Sequence, residues 1–244
     1  MHLTRICRHP IKAHGREDLA SVLLSAGACL PDDRRWAVAH EAAKLSAGWS
    51  PCNNFHRGAK APALMAITAE LQGDAVTLRH PDRPDLTFRP DQAEDLSLFL
   101  DWVAPLSPPD RAQPARIVSA NRGMTDSEFP SVSVLTTASL DALSEKLGQT
   151  ISADRFRGNL WLGDTRPFAE FDWIGRDIQI GAAILTVKER ITRCRATMAN
   201  PTTGLIDADT LGTLQAAYGH KDFGVYAIVK QSGMIAVSDK AKLL

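Results

Sequence analysis

Arg190-Ile191-Thr192-Arg193-Cys194-Arg195-Ala196-Thr197, followed after two residues by Asn200-Pro201-Thr202-Thr203-Gly204, is the stretch on which the reading of this chain turns. Arg190, Arg193 and Arg195 crowd around one thiol. Cationic neighbours stabilise a thiolate, which suits a nucleophile or a ligand for a soft metal. The same pattern also describes a small core residue on a strand whose arginines face water.

Working outward, Arg155-Phe156-Arg157-Gly158-Asn159 offers two guanidinium groups, a flexible glycine and an amide. That set suits recognition of a phosphate or a polar heterocycle, and equally the edge of a strand with alternating exposed arginines. Thr136-Thr137 stands at a strand-to-helix junction. Hydroxyls and free backbone N–H groups there hold an anion or simply cap the helix. Asp164, Glu170 and Asp172 cluster around a turn and read as a solvated loop rather than an acid–base pair. The familiar catalytic templates are absent: no glycine-rich dinucleotide fingerprint, no P-loop, no His-Glu-x-x-His and no Gly-x-Ser-x-Gly. The seven histidines are scattered.

Composition narrows the classes further. The 244 residues allow one large domain or two small ones, and 44% hydrophobic content supplies a core. Lys+Arg and Asp+Glu both total 28, so the net charge is 28 − 28 = 0, against a broad nucleic-acid surface. No apolar run reaches the roughly 18 residues of a transmembrane helix, so no membrane partner is expected. Cys7, Cys29, Cys52 and Cys194 show no paired spacing of a zinc or iron–sulfur site, which points to reduced thiols and a cytoplasmic protein. Arg5, Arg8, Lys12 and Arg16 before the run Leu19 to Leu30 imitate a secretory leader. Glu17-Asp18 and the polar breaks Ser21, Ser25 and Gly27 argue against one.

Alternation and punctuation predict short strands at His2 to Arg8, Leu19 to Leu24, Arg35 to Ala39, Ala63 to Leu71 and Val76 to Arg79. A helix follows Pro90, carrying Ala93, Leu96, Phe99, Leu100 and Val103. The proline-rich Pro105 to Pro114 reads as a linker. Beyond it, strands are expected at Val132 to Leu135, Asn159 to Leu162, Ile178 to Ile180, Ala183 to Val187, Val225 to Val229 and Met234 to Val237. Helices are expected after Thr136-Thr137 and over Asp209 to Tyr218. The fold class is mainly β with some α, with a barrel-like core.

Taken together, the Arg155–Asn159 run, the Arg-Cys-x-x-Thr and Asn-Pro-x-Thr-Gly segments and Phe223-Gly224-Val225-Tyr226 resemble the MOSC domain, named after the C-terminal domain of molybdenum cofactor sulfurase. His9-Pro10-Ile11-Lys12 and Asp33-Arg34-Arg35-Trp36-Ala37-Val38 resemble the smaller β-rich domain that precedes it in amidoxime-reducing proteins. The resemblance implies a β-rich N-terminal domain over residues 1–104 and a β-barrel MOSC domain over 105–244. It is weakest from about Gly48 to Asp110. It departs at Ala13, where relatives often have a Ser, and at Gly158, where a Pro is common and whose glycine is expected to loosen the turn.

What the resemblance implies for function is specific. The molybdenum cofactor is the expected ligand, with Cys194 as the catalytic metal ligand. Lys12 and Arg34 would contact its phosphate or pterin, Thr136, Thr137, Arg157 and Asn159 would hold its polar edges, and Arg193 would help set the charge beside the metal. The expected activity is reduction of N-hydroxylated small molecules, with electrons from a separate ferredoxin-, flavodoxin- or cytochrome-type protein docking at the Arg190, Arg193 and Arg195 rim. The alternative is a cofactor carrier or sulfur-transfer protein holding a persulfide on Cys194. Asn53-Asn54-Phe55-His56-Arg57 has the amide, ring and cation of a substrate mouth, or of a surface loop.

Overall fold

The structure is a computed structural model that describes residues 1–120 and 122–244. Its strands in chain order are β1 (His2–Arg8), β2 (Glu17–Leu19), β3 (Ser21–Leu24), β4 (Trp36–His40), β5 (Thr68–Gln72), β6 (Ala75–His80), β7 (Arg83–Phe88) and β8 (Pro114–Ser119). They continue as β9 (Val132–Thr136), β10 (Leu160–Gly163), β11 (Asp177–Ile180), β12 (Ala183–Thr192), β13 (Asp222–Gln231), β14 (Gly233–Ala236) and β15 (Ala241–Leu243). The α-helices are α1 (Leu96–Val103), α2 (Thr137–Leu147) and α3 (Thr210–Tyr218). The expected class, mainly β with some α, is what the chain forms.

The large sheet runs in the order β15-β11-β12-β13-β9-β10-β1-β2. Period-two alternation divides its side chains between two faces. Val132, Val134, Leu160, Leu162, Val225 and Ala227 point into one core. Leu135, Trp161 and Phe223 point to the opposite side, where Leu143 of α2, Leu214 of α3 and Phe156 cover them. Phe156 and Phe223 stack with centroids 4.0 Å apart. β9 and β10 are parallel, and α2 lies in the crossover that such a pair requires.

Strand pairing does not follow chain order. β1, from the N-terminus, pairs with β10, β3 pairs with β14, and β4 pairs with β8. The residues around His9 and Arg34 therefore lie where the large sheet meets the smaller N-terminal core of Trp36, Val38, Leu64, Ile67 and Phe99. Backbone bonds fix this junction: Arg34 N donates to His9 O at 2.6 Å, and Lys12 N to Trp36 O at 2.8 Å.

Two expectations change. Ala63 to Leu71 is not one strand, because a 3-10 turn over Pro62–Ala66 precedes β5. Arg16 Nη1 donates to the carbonyls of Met65 and Ile67 and stabilises that break. The proline-rich segment is anchored at its start, where Leu106 and Ser107 are buried. Among the described residues no helix is long and apolar enough to cross a membrane.

Candidate functional site

Lys12 is 5% exposed, and its Nζ donates to Met124 O at 2.7 Å and to Asp126 Oδ1 at 2.5 Å. Arg34 Nη2 donates to Arg157 O at 3.0 Å, and Nη1 pairs with Asp33. Arg193 donates through Nε to Phe223 O and through Nη1 to Phe156 O, each at 2.8 Å, above the Phe156 ring. Arg157 closes the 3-10 turn Ala153–Phe156. Arg34 and Arg157 both occupy the left-handed region, at φ 52° and 46°. A non-glycine residue there costs on the order of 1–3 kcal/mol, and such strain gathers at functional sites.

Four cations from four separate segments thus lie near one another; of these Lys12 pairs with Asp126 and Arg34 with Asp33. Burial dominates the titration of these groups. Burial, reinforced by Arg34, pushes Arg157 down to about 9, and burial pushes Arg193 down to about 10. Burial also lowers Lys12, with partial relief from Asp126. Desolvation opposes ionisation of Asp126, but Lys12, then Arg34 and Arg193, outweigh it and hold the carboxyl below its ordinary range. Arg157 Nη2 is buried and has no hydrogen-bond partner. Buried polar atoms are normally paired, and a guanidinium N–H is a donor suited to an anionic oxygen.

Cys194 is exposed and immediately precedes the 3-10 turn Arg195–Met198. Thr197 fixes it: its N–H and its hydroxyl both donate to Cys194 O, at 3.2 and 3.1 Å. This is the physical content of the Arg-Cys-x-x-Thr pattern. Of its flanking arginines only Arg195 is left free on the surface, among the described residues; Arg193 turns inward and Arg190 packs over the Phe171 ring. The Asn-Pro-x-Thr-Gly segment is a turn in which Asn200 Oδ1 accepts from Thr202 N at 2.8 Å. Gly204, at φ 72°, lies so close to Ala63 that a Cβ would sit 2.6 Å from its Cα, which locks the turn against the N-terminal core. Gly158 does not loosen its own turn, because a Cβ there would meet the fully buried Leu135 at 2.3 Å.

Three of the expected contact residues have their side chains committed elsewhere. Thr136 Oγ1 caps α2 by accepting from Ser139 N at 3.3 Å and donates to Glu170 at 3.1 Å. Thr137 Oγ1 donates to Leu162 O at 3.4 Å. Asn159 Oδ1 accepts from Ser133 N and Oγ, while Nδ2 donates to Cys7 O at 3.2 Å. Glu170 itself is fully buried, not part of a solvated loop, and burial raises its pKa. Asp33 and Asp126 escaped the sequence reading. No local signal marks Asp126, which meets Lys12 across 114 positions. Asp33 carries one only in being next to Arg34.

The arrangement defines a β-sheet protein with a largely buried cationic cluster close to an exposed thiol. The chain belongs to the MOSC-domain family: residues 124–242 match the MOSC domain, and residues 1–105 match the MOSC N-terminal beta barrel domain. It is similar to mitochondrial amidoxime-reducing component 1 of Xenopus laevis, at 33% identity over 44% of this chain and 34% of that protein. It is similar also to the molybdenum cofactor sulfurase of Anopheles gambiae, at 39% identity over 36% of this chain and 10% of the relative. The match thus spans about a third of the length of the amidoxime-reducing relative. Among solved structures, the YuaD protein of Bacillus subtilis aligns over 99% of this chain and 93% of its own, at 10% identity and TM-score 0.48.

Proposed function

We propose that this protein binds the molybdenum cofactor between the Lys12–Arg34–Arg157–Arg193 cluster and Cys194, and that it reduces N-hydroxylated small molecules. The observation that carries the reading is the largely buried cation cluster with its unpaired Arg157 Nη2, whose member Arg193 directly precedes the exposed Cys194. The residues fit an anionic, sulfur-rich cofactor. Arg157 and Lys12 supply charge-assisted donors to a phosphate, and Cys194 supplies a soft ligand. The names of the amidoxime-reducing and sulfurase relatives support the same choice.

When bound, the cofactor supplies two-electron, oxygen-linked redox chemistry at molybdenum. The chain's own residues hold it and set its surroundings. Arg34 is kept in place by Asp33 and by the Arg157 carbonyl, so its charge is preorganised rather than recruited. Arg193 stays aligned by the Phe223 and Phe156 carbonyls. The overall reaction consumes two electrons and two protons per N–OH group and releases the N–H compound and water. A separate electron-transfer protein of ferredoxin, flavodoxin or cytochrome type is the proposed source, since the sequence has no nicotinamide, flavin or ferredoxin motif.

The test is metal and pterin analysis of protein from a host that makes the cofactor, followed by assay with benzamidoxime and reduced viologen. One molybdenum and one pterin per chain, with viologen-driven formation of benzamidine, is the expected result. Cyanide-releasable sulfur on Cys194 without molybdenum would replace this reading by the sulfur-carrier one.

A further inference from the structure

We propose that the pocket on the outer side of the Asn53–Arg57 segment recognises an anionic group, a carboxylate or a phosphate, on the substrate of the neighbouring centre; this rests on the function proposed above. The pocket has a volume of about 170 Å³, and its lining includes His40, Phe55, His56, Arg57, Lys60 and Arg111. That is below the roughly 300–1,000 Å³ of a drug-sized ligand pocket, so it suits one small anionic end group.

Its charge is one-sided. No carboxylate lines it. Among the described residues Arg57 and Lys60 pair with no acid, and Arg57 Nη1 donates only to Cys52 Sγ, at 3.1 Å. Arg111 approaches the neighbouring Asp110 at 3.5 Å, in the open, and Asp110 is not a lining residue. His56 adds no charge at neutral pH, because burial and then His40 push it down to about 4. Both its nitrogens are engaged, Nδ1 with His14 Nε2 and Nε2 with Ser107 Oγ, each at 3.2 Å. His40 donates from Nε2 to Asn53 O at 2.8 Å, which leaves its buried Nδ1 without a partner. In that tautomer Nδ1 is an acceptor, so it takes a hydrogen-bond donor of the occupant, beside the anionic group that Arg57, Lys60 and Arg111 select.

The pocket's wall is also the wall of the cationic cluster. Phe55 is 2% exposed, and Lys12 Nζ lies 5.9 Å from its ring centroid. A Cβ on Gly58 would come within 3.4 Å of Ala196 Cβ, in the turn that follows Cys194. One short segment therefore touches the pocket, Lys12 and the Cys194 turn. A compound whose reducible end lies at Cys194 has its anionic end recognised here.

The experiment gives viologen-reduced holoprotein benzamidoxime and 4-carboxybenzamidoxime. The expected result is a higher kcat/KM for the carboxylated compound, through KM, and a preference that falls about tenfold in Arg57→Ala and in Lys60→Ala. Arg57→Lys recovers most of it. Equilibrium dialysis of 4-carboxybenzamidine, which has no N–O bond to reduce, reads binding alone and is expected to weaken about tenfold in the same alanine variants. No preference in the wild type, together with equal dialysis binding by wild type and variants, overturns the proposal. If neither amidoxime is reduced yet Arg57-dependent dialysis binding persists, the pocket stands and the reductase reading falls. If the variants slow only turnover driven by a protein donor, the patch is a docking face and the proposal is overturned.

Discussion

Cys7 has the neighbours of a nucleophile: its Sγ lies 3.6 Å from His9 Nε2, and His9 Nδ1 lies 3.2 Å from Asp33 Oδ1. Cys194 makes no hydrogen bond through sulfur among the described residues, yet it is the exposed thiol. Burial separates them. It drives the Cys7 thiol up to about 12 and, with help from Arg157, His9 down to about 3, so both are neutral at physiological pH. A Cys-His-Asp row that cannot form its thiolate is a structural element. Its output is Asp33, which accepts from His9 N at 2.8 Å and holds Arg34. The lesson is that catalytic geometry without access is scaffolding, while an accessible thiol beside fixed charge is open to a ligand.

Acid is the strongest way to break the scaffolding half of that contrast. The unfolded chain protonates its histidines near 6.5, whereas folded His9 and His56 refuse a proton until about 3 and about 4. Within that window unfolding takes up protons, so stability rises with pH and is lost as pH falls. Each histidine contributes about 1.4 kcal/mol per pH unit. Urea unfolding from pH 7 to pH 4.5 should show a loss of several kcal/mol; a flat profile would mean these histidines are not buried neutral.

Asp33→Asn comes next. It removes a fully buried carboxylate from its pair with the partly buried Arg34, a change that costs up to about 3–5 kcal/mol, readable as a lower urea midpoint. Arg157→Ala probes the ligand half. Loss of one charge-assisted contact is worth about 1.5–3 kcal/mol, so pterin affinity should fall roughly 10- to 150-fold, and unchanged pterin retention would remove that arginine from the site. Cys7→Ser should have the smallest effect, about 1–2 kcal/mol of stability, with activity per cofactor-loaded molecule preserved.

The strands were legible because Val132 to Leu135 and Val225 to Val229 lie in long apolar or alternating runs with clear breakers. The cations were legible through motifs: Lys12, Arg34, Arg157 and Arg193 each sit in a recognisable run and do meet. Thr136 and Asn159 show the limit. A hydroxyl or an amide that can hold a ligand can equally cap a helix or clamp two strands, and only tertiary packing decides. Glu170 was misread because its hydroxyl partners, Thr136 and Ser139, lie 34 and 31 residues away. The break at Pro62–Ala66 depends on Arg16, about fifty positions upstream.

The central claim is that Cys194 and the cation cluster form one cofactor site, and X-ray absorption at the molybdenum edge tests it most directly. Wild-type protein and Cys194→Ser would be loaded in the same host and compared. Loss of an outer partner of a metal ligand typically costs 10- to 100-fold in affinity or activity, so loss of the ligand itself should exceed about 100-fold. The account predicts one sulfur fewer around whatever molybdenum the variant retains, at unchanged fold. Identical sulfur coordination in the two proteins would contradict it.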